Sequence, residues 1–148
     1  VAAAGLGRRF LCVDQSPLAL CAASKRLSQP TSARPMGFCY DVEAECGEDD
    51  CFVEAEVFPA ITSYTVHLIG FDNVQAREMG ITGLDAVEHW SAGFVQGGAY
   101  RSCAESVRTA ATPKLLDTLE MPVCAGEPCI MIVDIWGGRR FYLPKRRY

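Results

Sequence analysis

The stretch FCYDVEAECGEDDCFVEAEVF, residues 38–58, carries the reading of the fold. Phe38, Tyr40, Val42 and Ala44 alternate with Cys39, Asp41, Glu43 and Glu45. After a turn over residues 47–50, Cys51, Val53, Ala55 and Val57 alternate with Phe52, Glu54, Glu56 and Phe58. Successive side chains of a strand point to opposite faces, so each run reads as a strand with one dry and one wet side. The two are expected to pair as an antiparallel hairpin, with Cys46 and Cys51 at its turn ends.

Outward from this hairpin, residues 61–69 read as a third strand. Tyr64, Val66 and Leu68 share one face, and Thr65 and His67 share the other. Upstream, residues 10–13 read as a short strand. Ser16 and Pro17 then open a helix to residue 28, because serine caps and proline suits the first helical position. Downstream, Asp72 can cap a short turn that ends at Gly80. Thr82 with Asp85 resembles a capping box. Leu84, Val87, Trp90 and Phe94 form a stripe at helical spacing, as do Tyr100, Cys103, Ala104, Val107 and Ala111. Thr112-Pro113 opens a short third helix. Residues 129–136 are nearly all apolar and read as a central strand. Gly137-Gly138 is a two-residue hairpin signal, and the last strand returns over residues 139–143. Strands grouped together and helices grouped together predict an α+β fold, an antiparallel β-sheet with helices packed mainly on one face. No repeat or linker divides the chain, so one domain is expected over residues 1–148, with residues 1–9 flexible.

The chain has 148 residues, of which 49% are hydrophobic, so it can bury a core. Its net charge is −4, with uneven distribution. Asp41, Glu43, Glu45, Glu48, Asp49, Asp50, Glu54 and Glu56 occur without a base between them, and Arg139, Arg140, Lys145, Arg146 and Arg147 without an acid. Net negative charge argues against nucleic acid as a partner, because phosphate contacts dominate that affinity. No apolar run is long enough to span a membrane. A monomer is expected.

The eight cysteines, Cys12, Cys21, Cys39, Cys46, Cys51, Cys103, Cys124 and Cys129, point to an oxidising compartment and to disulfide stapling. The chain start is too short for a signal peptide, so secretion would place Val1 near a mature terminus. Spacing alone does not choose the pairing. Placement on the predicted elements suggests Cys46–Cys51 and Cys124–Cys129 across turns and Cys12–Cys21 near the start. Cys39–Cys103 would then tie sheet to helix. Structural zinc prefers pairs two to four residues apart with a Cys-x-x-Cys signature, which is missing, so no metal or cofactor is expected.

Only two histidines are present, His67 and His89. A ribonuclease-like hydrolase would need both in one acid–base site. That reading is the alternative, together with a disulfide-rich toxin or protease inhibitor presenting the Cys124–Cys129 loop. The main interaction candidates are Trp136, Arg139, Arg140, Phe141, Tyr142, Lys145 and Arg146, since aromatics and arginine are enriched at interface hot spots.

The eight cysteines, the strand-and-helix order and residues 136–146 together resemble the small secreted cysteine-rich effectors of plant-associated fungi. Within that group the chain is similar to the LARS family of avirulence proteins. The resemblance implies a non-enzymatic virulence protein that acts in or around host cells. It also implies binding to a host protein and recognition by a host immune receptor.

Overall fold

Strand β4 (Val87–Gln96) is buried on both sides over most of its length, and the rest of the fold is arranged around it. The computed structural model describes residues 11–27, 39–41 and 51–146, with positions 2, 6 and 8. Before β4 come helix α1 (Pro17–Leu27), β1 (Cys39–Asp41), β2 (Phe52–Pro59), β3 (Ser63–Asp72), helix α2 (Val74–Met79) and a 3-10 turn, Gly83–Ala86. After it come β5 (Ala99–Val107), β6 (Thr118–Pro122), β7 (Glu127–Asp134), β8 (Arg139–Tyr142) and β9 (Lys145–Arg146).

The described strands form two sheets, one five-stranded in the order β1-β5-β4-β7-β8 and one four-stranded in the order β6-β3-β2-β9. Pairing is antiparallel except between β2 and β9. The sheets face each other across a core built from Val57, Val66, Leu68, Trp90, Phe94, Met121, Ile130 and Ile132. The opposite side of the five-stranded sheet carries a smaller core of Tyr100, Cys129, Met131 and Val133, closed by Cys21 of α1. Alternation along β7 serves both cores, since Ile130 and Ile132 enter one and Cys129, Met131 and Val133 the other. Burying each large side chain contributes about 1.5–3 kcal/mol.

The antiparallel character of the sheet is as expected, and α1 starts where Ser16 and Pro17 place it. The Ser16 hydroxyl oxygen accepts from Ala19 N at 3.3 Å. Three other expectations are corrected. First, residues 39–41 do not pair with β2 as the expected hairpin requires, because β1 pairs with β5 and β2 pairs with β3, in different sheets. Alternation marks a strand but does not name its partner. The turn expected at residues 47–50 lies outside the described residues. Second, Leu11 and Val13 stand 89% and 90% exposed and join no strand.

Third, the first two helices expected after residue 82 are β4 and β5, and the helix expected from Thr112-Pro113 is an irregular segment that leads into β6. Bulges explain the misleading spacing. Val87 pairs with Asp134 and His89 with Val133, so Glu88 is an extra residue that brings Val87 into phase with Trp90, Ala92 and Phe94. A second bulge lies in β5, where Ala92 pairs with Ala104 but Gly93 with Ser102. Residue 103 is the surplus one. Tyr100 therefore belongs to the core beneath α1, whereas Ala104 packs on the core between the sheets. A bulge turns a period of two into a local step of three, which imitates a helical stripe.

The irregular segment after β5 is held by side chains. Arg108 donates to the carbonyls of Val87 (2.8 Å), Pro113 (2.7 Å) and Leu84 (2.6 Å). Trp90 Nε1 donates to Leu116 O at 2.7 Å, and Leu116 N donates to the Ser106 hydroxyl oxygen at 2.9 Å.

Candidate functional site

The outer face of the four-stranded sheet takes its composition from the alternation in β2. Val53, Ala55 and Val57 turn inward, which leaves Phe52, Glu54, Glu56 and Phe58 outward. Across the β2–β3 register, Phe58 lies beside Thr65, Glu56 beside His67, and Phe52 beside Asp72. His67 is flanked on its other side by Thr118, and Thr65 by Glu120. Ile69 is the extra residue of a bulge in β3. Phe52, Phe58 and Ile69 are 59%, 42% and 42% exposed. The face thus combines exposed apolar side chains with carboxylates and a half-exposed histidine whose Nε2 lies 4.0 Å from Asp117 Oδ2.

A second cluster lies beneath α1. Lys25 forms an ion pair with Glu88, the bulge residue of β4. His89 Nε2 lies 3.1 Å from Glu105 Oε2, with the histidine side chain only 2% exposed. The Ser91 and Tyr100 hydroxyls share a 2.8 Å hydrogen bond. Burial pushes the Cys21 thiol up to about 12, reinforced by Glu88 and opposed by Lys25. A thiol protonated at neutral pH is a poor nucleophile, so this cluster serves packing better than thiol chemistry.

The two histidines are not brought together. His67 sits on the outer face of the four-stranded sheet, and His89 lies on the side of the other sheet that packs under α1. A site that uses both as acid and base is not assembled. Among the described residues no group of three or more His, Cys, Asp or Glu side chains could hold a metal ion. No helix among them is long and apolar enough to cross a membrane.

The C-terminal interaction candidates are mostly used in packing. Phe141 lies 5.3 Å from the Tyr100 ring, and the Arg139 guanidinium sits 5.9 Å from the Phe141 ring centre. Arg140 stands against the Cys51 thiol, whose pKa is raised by burial and pulled back by that guanidinium. Tyr142 packs on the core between the sheets, and Trp136 is 37% exposed at the β7–β8 turn. The side chains of Lys145 and Arg146 lie outside the described residues.

Asp134 organises that turn. It is buried, and its carboxylate accepts from Asn73 Nδ2 (3.0 Å), Trp136 N (3.0 Å) and Gly138 N (2.8 Å). A Cβ on Gly138 would stand 2.6 Å from Asp134 Oδ2, so the turn needs glycine there. Asp134→Asn is expected to cost about 2–3 kcal/mol, because the amide nitrogen must face one of these three donors. Urea unfolding of the variant checks this, and an unchanged midpoint would contradict it.

The described cysteines, Cys12, Cys21, Cys51, Cys103, Cys124 and Cys129, are unbridged thiols. Cys129 is buried inside β7, and burial pushes its pKa up to about 12. Cys124 is exposed beyond the end of β6 and is next to Cys103. The Cys124–Cys129 pair therefore does not close the loop suggested for an inhibitor. Cys12 is exposed while Cys21 is sealed beneath α1. Cys39 is opposite Arg101 in the β1–β5 register, and its side chain, like all of Cys46, lies outside the described residues.

Sequence reasoning missed Phe52, Phe58 and Ile69 as surface groups. The signal was present in β2, where both phenylalanines share the phase of Glu54 and Glu56. It missed Asp134 too, the lone acid in an apolar run. Comparison with protein-family models, with curated proteins and with solved structures found no match.

Proposed function

We propose that this chain is a non-enzymatic secreted effector that binds a host protein through the outer face of the four-stranded sheet. The observation that carries the reading is the exposure of Phe52, Phe58 and Ile69 among Glu54 and Glu120 on one sheet face. Exposed apolar side chains grouped on one face and rimmed by charge mark interaction sites. Glu54 and Glu120 on this face call for a partner surface that offers arginine or lysine around an apolar centre. The cysteine content and the resemblance to avirulence proteins supply the setting, an oxidising exterior and a host that recognises the protein. The separation of His67 from His89 favours binding over the hydrolase alternative.

The test is a photo-crosslinking side chain at position 58, in protein applied to or expressed in leaf tissue. A defined host adduct is expected, competed by excess unlabelled protein but not by a Glu54→Lys/Glu120→Lys variant. Equal competition by that variant, or no competable adduct, would overturn the proposal. RNA hydrolysis by the purified chain that disappears in His67→Ala would also overturn it.

A further inference from the structure

We propose that Cys103 and Cys124 form a disulfide joining the two sheets, made by exchange with a small-molecule disulfide of an oxidising compartment. Cys103 lies in β5 of the five-stranded sheet, and Cys124 follows the end of β6 in the four-stranded sheet. Both thiols are exposed, and the Cys124 thiol lies beside that of Cys103. β5 and β6 also touch each other.

Cys103 sits at a bulge. As the surplus residue of β5, Cys103 has no partner of its own in β4. The partner strand passes it at Gly93, where a Cβ would stand 2.0 Å from Arg101 O and 2.9 Å from Ser102 Cα. Only glycine lets the two backbones approach so closely. Past the bulge, β5 side chains exchange faces, and Ala104 packs on the core between the sheets. The other described thiols have different surroundings. Cys21 and Cys129 are enclosed beneath α1, and Cys51 lies against Arg140.

The chemistry is a two-step exchange with a disulfide such as oxidised glutathione. One cysteine thiolate attacks a glutathione sulfur, forms a mixed disulfide and expels a glutathione thiolate. The second cysteine, deprotonated, attacks the protein sulfur of that mixed disulfide and expels the other glutathione thiolate. Two protein thiols are oxidised, one disulfide is reduced, and the two protons pass to the released thiolates. Partial desolvation of the sulfur, and then the adjacent Cys124, push the Cys103 pKa up. Closure should therefore quicken as the buffer becomes more alkaline. The bond would close a loop around the segment that carries Leu116, the hydrogen-bond acceptor of Trp90.

The test uses the full chain equilibrated with mixtures of reduced and oxidised glutathione, quenched in acid, alkylated and digested. Mass spectrometry should recover a peptide pair linked through Cys103 and Cys124. The oxidised protein should melt roughly 5–10 °C above the reduced one. That difference should disappear equally in Cys103→Ser and Cys124→Ser. If one variant does not fold, the other gives the same reading. Alkylation of both thiols under oxidising conditions, or recovery of Cys103 linked to a different cysteine such as Cys39, would overturn the proposal. The outcome is independent of whether a host partner binds the outer sheet face.

Discussion

In reducing buffer, the protein loses stability as the pH rises from the ordinary thiol value of 9.0 toward about 12, the range over which burial holds Cys21 and Cys129 protonated. The direction follows from proton counting. In the folded state both thiols keep their protons, because a thiolate in the core beneath α1 that holds them would be desolvated. In the unfolded chain they release them once the pH passes 9.0. The unfolded state then binds fewer protons, and linkage favours it. The stabilisation is fully present below 9.0 and is lost progressively up to about 12. Each thiol contributes a slope of about 1.4 kcal/mol per pH unit, so the pair gives roughly 2.7 kcal/mol per unit. Urea midpoints at pH 8 to about 11 measure this. Lysines and tyrosines titrate in the same range, so the comparison is with Cys21→Ala and Cys129→Ala. Each variant should flatten the slope by about one proton, whatever its packing cost at neutral pH. Parallel slopes in wild type and both variants would show that the buried thiols are not responsible.

Trp90→Ala should lower stability by about 3–5 kcal/mol, the largest effect expected of a single core truncation here. The side chain is 0% exposed and sits in the core between the sheets with Val66, Leu68, Phe94 and Ile132. Its indole also donates to Leu116 O, fastening the segment between β5 and β6 to the core. Truncation removes apolar contact and leaves a cavity that two packed sheets cannot readily close. Trp90→Phe separates the two contributions. It retains much of the apolar bulk but leaves the carbonyl without its donor, and about 1–3 kcal/mol is expected. Denaturant unfolding checks both variants. A loss under about 1.5 kcal/mol for the alanine would mean that the sheets relax around the gap. Selective proteolysis near Leu116 in Trp90→Phe would report the released segment.

The elements that were legible in the sequence are those whose pattern is local. β2 and β3 show clean alternation, α1 carries its own cap, and Gly137-Gly138 marks the β7–β8 turn. β4 and β5 were not legible as strands. β4 is buried on both sides, which removes alternation, and both strands contain bulges that shift the phase by one residue. The outer sheet face was half legible. Phe52 and Phe58 are visible beside Glu54 and Glu56, but Ile69 reaches the surface only through a bulge that depends on pairing with β2.

The cysteines show the same boundary. Their number alone determined the expectation of an oxidising environment, and the alternation around residues 51–58 determined a strand with a wet face. Which strand pairs with which, and which thiols meet, was decided only by the tertiary structure. Periodicity is a property of one segment, fixed by how its own side chains project. Pairing and thiol proximity depend on segments far apart in the chain, and they are selected by the shared burial of two sheet faces. Cys103 and Cys124 are 21 residues apart in the numbering, and they become neighbours because the packing of the two sheets brings β5 against β6.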